Sequence, residues 1–504
     1  MNKNTIKSVG YLTLLKIIGS VTGLTYAVLQ VRYFGASSMV DAFFIATSAL
    51  YLISSLVQGG QLSEVFLPEY LEKKNEKGAE AAYLLLSIVL NRVAVALLVA
   101  ISVFYLIAPF LIAVMGAGLE VEQQLFAVDV LRLSLVLVVF NIIASFVNST
   151  LLAEQIYGRS EWTSLINSLF SLLVLVLFHK ILGIWALLLA LMVGKIVEFV
   201  IGLYYLNRIG YKYSLKWNMP GYNMNAFFKV LYTTSGYVGS TQVYNVILTS
   251  MSSFLPAGSF SIYNYVLQLS NKTKGIVINP ISTVFFSKFA NSTVGAKNKN
   301  VPSIGLPLLA IGIVALLQFC LVFSLGTDLL RFLWSEKSLS AEELTIATLM
   351  LTLNLIGVII SAMGAIYRKA VVALKGAKLL YRGWIVSQLV TAIYSFIVIY
   401  YFSVYGLISI PMVNMLLLAS VSVFVSRSYD LQIFSGEQKK VQFKKWIAFS
   451  VLALFMSIML NQISFTYSII IYSLILKGVI LFIMITGVGW LFVRKDVQKI
   501  IYNR

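Results

Sequence analysis

The sequence predicts an all-α polytopic membrane protein of about fourteen transmembrane helices, and three observations carry that expectation. The chain of 504 residues is 59% apolar, with a mean hydropathy of +0.90 and 11% charged residues, where soluble proteins average about 25% charged. Its apolar runs recur at lengths near the roughly 20 residues that one helical crossing of a bilayer requires. Its basic residues fall on alternate connecting segments.

Taken in order, the spans start near Tyr11, Asp41, Ala81, Leu125, Trp162, Ile184 and Ala226. They continue from Gly258, Ser303, Leu344, Gly383, Val404, Trp446 and Thr466. Lys3 and Lys7 precede the first run as they would in a secretory signal, but the run is too long for a signal core and lacks a small-x-small cleavage site. It is expected to stay as the first span. With a cytoplasmic N-terminus, 26 of the 38 Lys and Arg fall on the inner side, four on the outer side (Arg32, Lys180, Arg331, Lys337), and eight within spans. This positive-inside bias places both termini in the cytoplasm and removes nucleic acid as the reason for the net charge of +19. A single cysteine, Cys320, excludes an intramolecular disulfide and a Cys-built metal site.

The segment Asn207 to Asn225 is polar and basic and contains the turn pair Pro220-Gly221. It is the expected boundary between an N-lobe (1–215, helices 1–6) and a C-lobe (216–435, helices 7–12), with a C-terminal helix pair (436–504) after the basic linker. An internal echo supports two pseudo-symmetric six-helix lobes. Phe34-Gly35-Ala36-Ser37 opens a span that leaves through Phe66-Leu67-Pro68, and Leu255-Pro256-Ala257-Gly258-Ser259 opens another that leaves through Phe285-Phe286-Ser287. Paired repeats are common in transporters that hold substrate between lobes. Connecting segments are too short for an ATPase or a separate catalytic domain.

Enzyme chemistry has little foothold. His179 is the single histidine, and no Walker loop, G-x-S-x-G elbow or H-E-x-x-H is present. No metal and no cofactor is expected. The eight intramembrane cations are Lys16, Arg92, Arg132, Lys195, Lys229, Lys272, Lys274 and Lys477, against three acids, Glu64, Asp129 and Glu198. Asp129 with Arg132, and Lys195 with Glu198, are spaced to neutralise each other along one helix. Arg92 and Lys477 have no local partner. The first, second, seventh and eighth spans carry recurrent polar groups, and a cation in hydrocarbon must face a cavity or a partner. An excess of such cations favours an anionic cargo.

The stretches Tyr33-Phe34-Gly35-Ala36 to Asp41-Ala42-Phe43-Phe44, and Gly59-Gly60 to Phe66-Leu67-Pro68-Glu69-Tyr70, resemble the opening signature of the lipid II flippase (MurJ/MviN) family. Ser253-Phe254-Leu255-Pro256-Ala257-Gly258-Ser259, Phe332-Leu333-Trp334 with Ser338-Leu339-Ser340-Ala341-Glu342-Glu343, and Ile366-Tyr367-Arg368 extend the likeness over about three quarters of the chain. The resemblance implies a MOP-type fold, a cavity lined by helices 1, 2, 7 and 8, a lipid-tail groove on helices 13 and 14, and alternating access. It also implies outward transport of a polyprenyl-diphosphate-linked saccharide, either a peptidoglycan precursor or another cell-envelope repeat unit. Where the family pattern has cavity arginines, this chain has Ser20, Tyr26, Ser54 and Gln268. Lys16 precedes Ser20 by one helical turn and Lys272 follows Gln268 by one, so both shifts run toward the cytoplasm, about 5.4 Å each.

The expected substrate-binding set is therefore Lys16, Ser20, Tyr26, Ser54, Tyr237, Gln242, Tyr265, Gln268, Lys272 and Lys274, with the lysines on the diphosphate. Arg32 and Asp41 are expected at an outer gate, and Glu64 as a coupling residue. The partners expected are the lipid-linked oligosaccharide, membrane lipids and, as an open expectation, envelope-glycan synthesis enzymes. A MATE-like drug or cation antiporter, and a membrane glycan ligase or polymerase, are the rival readings.

Overall fold

In the computed structural model the described residues are 3–58, 62–154, 156, 159–220, 235–272, 304–335, 338–374, 376–429, 431, 438–461, 477 and 479. They form helices and connecting turns, with no strand among them. The helices are α1 (Lys3–Phe34), α2 (Ser38–Gln58), α3 (Leu62–Lys77), α4 (Ala79–Met115), α5 (Val121–Ser134), α6 (Val136–Ala153), α7 (Arg159–Leu182) and α8 (Trp185–Arg208). They continue as α9 (Ser235–Ser252), α10 (259–272), α11 (Gly305–Trp334), α12 (Ala341–Ala373), α13 (Ala377–Arg427) and α14 (Gln438–Asn461). Eight stretches among the described residues are long and apolar enough to cross a membrane.

Helices and spans do not correspond one to one. The fourth predicted span is shared by α5 and α6, between which Leu135 keeps helical angles (φ −56°, ψ −30°). Spans eleven and twelve run together as the 51-residue α13, which turns at Ser403 (φ 52°, ψ −129°). At 1.5 Å per residue a straight helix of that length would be about 76 Å, more than twice the hydrocarbon thickness. The left-handed residue at Ser403 therefore marks where the chain reverses between two crossings.

The chain divides into two compact units, residues 1–265 with 392–404, and residues 266–391 with 405–504. In the first, α7 packs on α1 and α8, α6 on α3 and α8, and α2 on α5 and α9. Gly194 lets α7 and α8 close on each other, since a Cβ there would lie 2.2 Å from the Ser171 hydroxyl. The residues of the signature motifs fill this unit's core. Phe43, Phe44, Phe66 and Tyr70 are all buried; the Phe66 ring meets Phe146 edge-on with centroids 5.2 Å apart. The Tyr70 hydroxyl donates to Glu154 Oε1 (2.9 Å), whose Oε2 accepts from Lys74 Nζ (2.8 Å). The motif Phe66 to Tyr70 is thus a packing knot closed by one polar lock.

The segment after α8 lies along α4 as an extended strap. Tyr83 donates to the Ile209 carbonyl, Asn91 Nδ2 to the carbonyls of Ser214 and Lys216, and the Tyr213 hydroxyl to Asn91 Oδ1. Tyr211, the first strap residue, is buried against Ser87, and burial pushes its phenol above the ordinary range.

In the second unit, α11 and α12 share a core of Ile304, Leu308, Ile311, Val358, Ala362 and Ile366. Gly357 and Gly364, two turns apart on α12, let α13 approach; a Cβ on the first would meet Met412 at 3.0 Å and one on the second Ala419 at 2.7 Å. α12 opens with a capping box, in which Ser340 Oγ accepts from Glu343 N (3.3 Å) and Glu343 Oε2 from Ser340 N (2.7 Å). That reciprocal pair accounts for the Ser338 to Glu343 motif. α14 packs on α11, where Ser457 donates to the Cys320 carbonyl (2.9 Å).

Candidate functional site

The most built polar arrangement in the first unit joins the two turns that the sequence echo pairs. Asp41, in the first turn of α2, is 5% exposed. Its Oδ2 accepts from Gly258 N (2.7 Å), and its Oδ1 from Ser261 N (2.6 Å) and from the Ser261 hydroxyl. Gly258 and Ser261 stand at the start of α10, so the carboxylate satisfies otherwise unpaired first-turn amides and meets the positive end of that helix. The Tyr265 hydroxyl, one turn on, donates back to the Gly35 carbonyl (2.9 Å), and its ring meets Phe44 edge-on at 5.4 Å.

Close backbone approach makes this interlock possible. Gly258 has φ +86°, and a Cβ there would sit 2.8 Å from Ala36 Cβ and 2.9 Å from its carbonyl carbon. Nearby, Gly118 N donates to the Ser253 hydroxyl (2.9 Å) at another contact that excludes a Cβ. Tyr33, beside the same turn, stacks on His179 with ring centroids 3.7 Å apart. His179 is thus a packing residue in this structure. The arrangement holds two turns together through one carboxylate and a tyrosine, and each bond can be broken without disturbing a helix interior.

The other expected residues are distributed as follows. Ser20 and Tyr26 on α1 are half-buried, Arg32 is exposed near its end, Ser54 on α2 is buried, and Gln242 on α9 is buried with its Oε1 accepting from Asn245 (3.3 Å). Gln268 and Lys272 on α10 are half-buried and belong to the second unit. Lys16, Glu64 and Tyr237 lie on α1, α3 and α9, with side chains outside the described residues, and Lys274 and Lys229 lie outside them altogether. The structure brings together Asp41 and Tyr265 from this set, and adds Gly258 and Ser261, which the sequence reading left unassigned. No group of acids, histidines or cysteines that could hold a metal occurs among the described residues.

A family model described as lipid II flippase MurJ matches residues 30–478. The chain belongs to this family. It is 24% identical over 350 residues to a probable lipid II flippase MurJ of Buchnera aphidicola subsp. Baizongia pistaciae, covering 68% of this chain and 67% of that one. Its fold is similar to a lipid II flippase MurJ solved in an inward closed conformation, with TM-score 0.80 at 20% identity, covering 96% of this chain and 99% of the other. A MATE-family transporter of the MOP superfamily in an inward-facing conformation matches at TM-score 0.63 and 13% identity, covering 83% and 94%. Membership places the chain among multi-pass membrane transporters that are not enzymes.

One charge assignment in this MurJ-family chain differs from what spacing suggests, and two cations without a local partner find distant ones. Arg132 does not pair with Asp129; its Nε donates to the Tyr105 carbonyl (3.3 Å) and its guanidinium lies 4.8 Å from the Tyr105 ring centre. A long side chain reached the neighbouring helix more easily than its own turn. Arg92 finds its partners in the strap, donating to the Trp217 carbonyl (3.1 Å) and to Asn218 Oδ1 (2.6 Å). Lys477, 2% exposed, donates to Asp328 Oδ2 (3.2 Å). Lys195 does pair with Glu198 (2.9 Å), which also accepts from Asn167 (2.7 Å).

Proposed function

We propose that this chain translocates a polyprenyl-diphosphate-linked saccharide from the cytoplasmic to the outer leaflet by alternating access, through two six-helix lobes followed by a C-terminal pair. The observation that carries the reading is the Asp41 interlock within a chain of this family. A carboxylate that satisfies buried amides on a second helix makes a seal that is stable when closed and reversible when the turns part. With both termini cytoplasmic, as the basic-residue bias favours, the interlock stands at the outer end of α2 and serves as an outer gate.

Lys16, Lys272 and Lys274 then supply the positive charge for the diphosphate in place of the missing arginines. Lysine binds phosphate as a point charge without the bidentate fork of arginine, so the clamp selects charge more than geometry. Tyr26, Tyr237, Gln242, Tyr265 and Gln268 meet the saccharide, Ser20 and Ser54 keep the site polar, and Glu64 holds a lysine while the site is empty. Arg32 lies beside the outer gate. Saccharides other than the peptidoglycan precursor fit this looser clamp.

The test is replacement of Lys16 and Lys272 together by Gln in cells that depend on this chain. Loss of function with unchanged protein level in the membrane is the expected result. Full activity of the double variant rejects the lysine clamp. The cation-antiporter reading needs buried acids free to bind cargo; among the described intramembrane acids Glu198 is held by Lys195 and Asn167.

A further inference from the structure

α4 is longer than a bilayer requires, and the change in its surroundings along its length marks where the membrane begins. It has 37 residues, about 55 Å at 1.5 Å per residue. The part beyond Arg92 runs to Met115, about 34 Å, which by itself matches a hydrocarbon core of about 30 Å. Beyond Arg92 the helix exposes large apolar side chains, beginning with Val95, Leu98 and Val99. Between Ala81 and Asn91 no residue of α4 is exposed. The strap covers that part of the helix, fixed by side chains of Tyr83, Ser87, Asn91 and Arg92. Arg92 thus stands at the edge of the apolar band, with its guanidinium spent on the strap.

The strap itself exposes what an aqueous loop would hide. Tyr213 is 61% exposed, Leu215 71% and Trp217 45%. Interleaved with them are Lys212 and Lys216, both exposed, whose ammonium groups have no partner among the described residues. Aromatic rings and lysines in alternation suit the headgroup layer, where amphipathic rings settle and basic side chains meet anionic lipid. Hydrogen bonding fixes the backbone through the carbonyls of Ser214, Lys216 and Trp217, so the side chains are presented from a rigid ribbon.

We propose that residues 211–218 form a lipid-binding strap that lies in the membrane interface, with Leu215 and Trp217 in the upper acyl region and Lys212 and Lys216 on the phosphates of anionic phospholipids. None of the residues assigned to the cargo belongs to this segment, so its test does not depend on the cargo. The purified full chain is placed in nanodiscs of phosphatidylcholine and phosphatidylglycerol, in which either one or the other lipid carries bromine on its upper acyl chain. The signal is the part of the tryptophan quenching that disappears in W217F.

Brominated phosphatidylglycerol is expected to quench this component more strongly than brominated phosphatidylcholine at equal mole fraction. Roughly 1 kcal/mol per lysine near an anionic surface corresponds to about a thirtyfold preference for the pair at low salt. K212Q/K216Q should leave Trp217 quenched by lipid but equalise the two lipids, as should high salt. Quenching of Trp217 by aqueous acrylamide with none from either lipid overturns the interfacial placement. Equal quenching by both lipids in the unmodified chain, or an unchanged preference in K212Q/K216Q, overturns the headgroup assignment.

Discussion

Replacing Asp41 by Ala removes the acceptor for three hydrogen bonds, two from the backbone amides of Gly258 and Ser261 and one from the Ser261 hydroxyl. Bonds to a charged acceptor contribute about 1.5 to 3 kcal/mol each, and buried donors left without a partner cost about 1 to 3 kcal/mol. Because the contributions share one carboxylate and do not add fully, a loss of about 4 kcal/mol is expected for the closed state relative to an open state in which water satisfies the same groups. That corresponds to a shift of about three decades in the closed-to-open ratio. Asn keeps one acceptor oxygen but presents an NH₂ to a donor, so D41N should lose about half as much, roughly 2 kcal/mol or thirtyfold. A cysteine placed at Ser259 in a Cys320→Ser background reports opening through its rate of modification by a membrane-impermeant thiol reagent. The rates are expected to rise in the order unmodified, D41N, D41A. Equal rates in all three would refute the reasoning, because the interlock would then carry no share of the closed state.

Gly258→Ala should act in the same direction as D41N, since a Cβ would lie 2.8 Å from Ala36 Cβ at φ +86°; the same thiol assay checks it, and an unchanged rate contradicts the close-approach argument. K477M leaves the half-buried Asp328 without its cation and should lower the unfolding temperature in detergent, with a cost of about 3 kcal/mol, the low end for a buried pair. K477M/D328L should recover most of that loss, and no recovery would mean that Lys477 matters through packing alone. Asn91→Ala releases the carbonyls of Ser214 and Lys216; trypsin should then cut at Lys212 or Lys216 at least tenfold faster for about 1.4 kcal/mol of lost restraint, and an unchanged cutting pattern would show that the strap is held otherwise.

Hydropathy made the helical runs legible because a bilayer demands a minimum apolar length, and the starts near Asp41, Ala81, Trp162 and Leu344 fall within a few residues of α2, α4, α7 and α12. Breaks within a span were not legible. The reversal at Ser403 depends on backbone angles that no periodicity signals.

Part of the polarity along the first and eighth spans is answered within each helix. Thr22 and Thr25 donate to the carbonyls of Ile18 and Val21 (2.9 and 3.0 Å), and Asn264 to that of Phe260 (2.8 Å). Such side chains satisfy themselves along their own helix. The interlock was half legible: the echo between residues 34–37 and 255–259 pointed to two equivalent turns, and Asp41 was marked for a gate. That the turns meet, with Asp41 reaching Ser261 220 positions away, is a tertiary fact that periodicity does not encode. Arg92 was read without a partner because hydropathy does not show the strap that supplies its acceptors.

The central claim is transport of a diphosphate-linked lipid, and reconstitution tests it most directly. Purified chain in vesicles carrying a fluorescent polyprenyl-diphosphate saccharide in both leaflets should make the inner-leaflet pool accessible to an impermeant quencher, with K16Q/K272Q vesicles remaining at the protein-free rate. Equal accessibility with and without the unmodified chain, under an imposed ion gradient and membrane potential, would contradict the account.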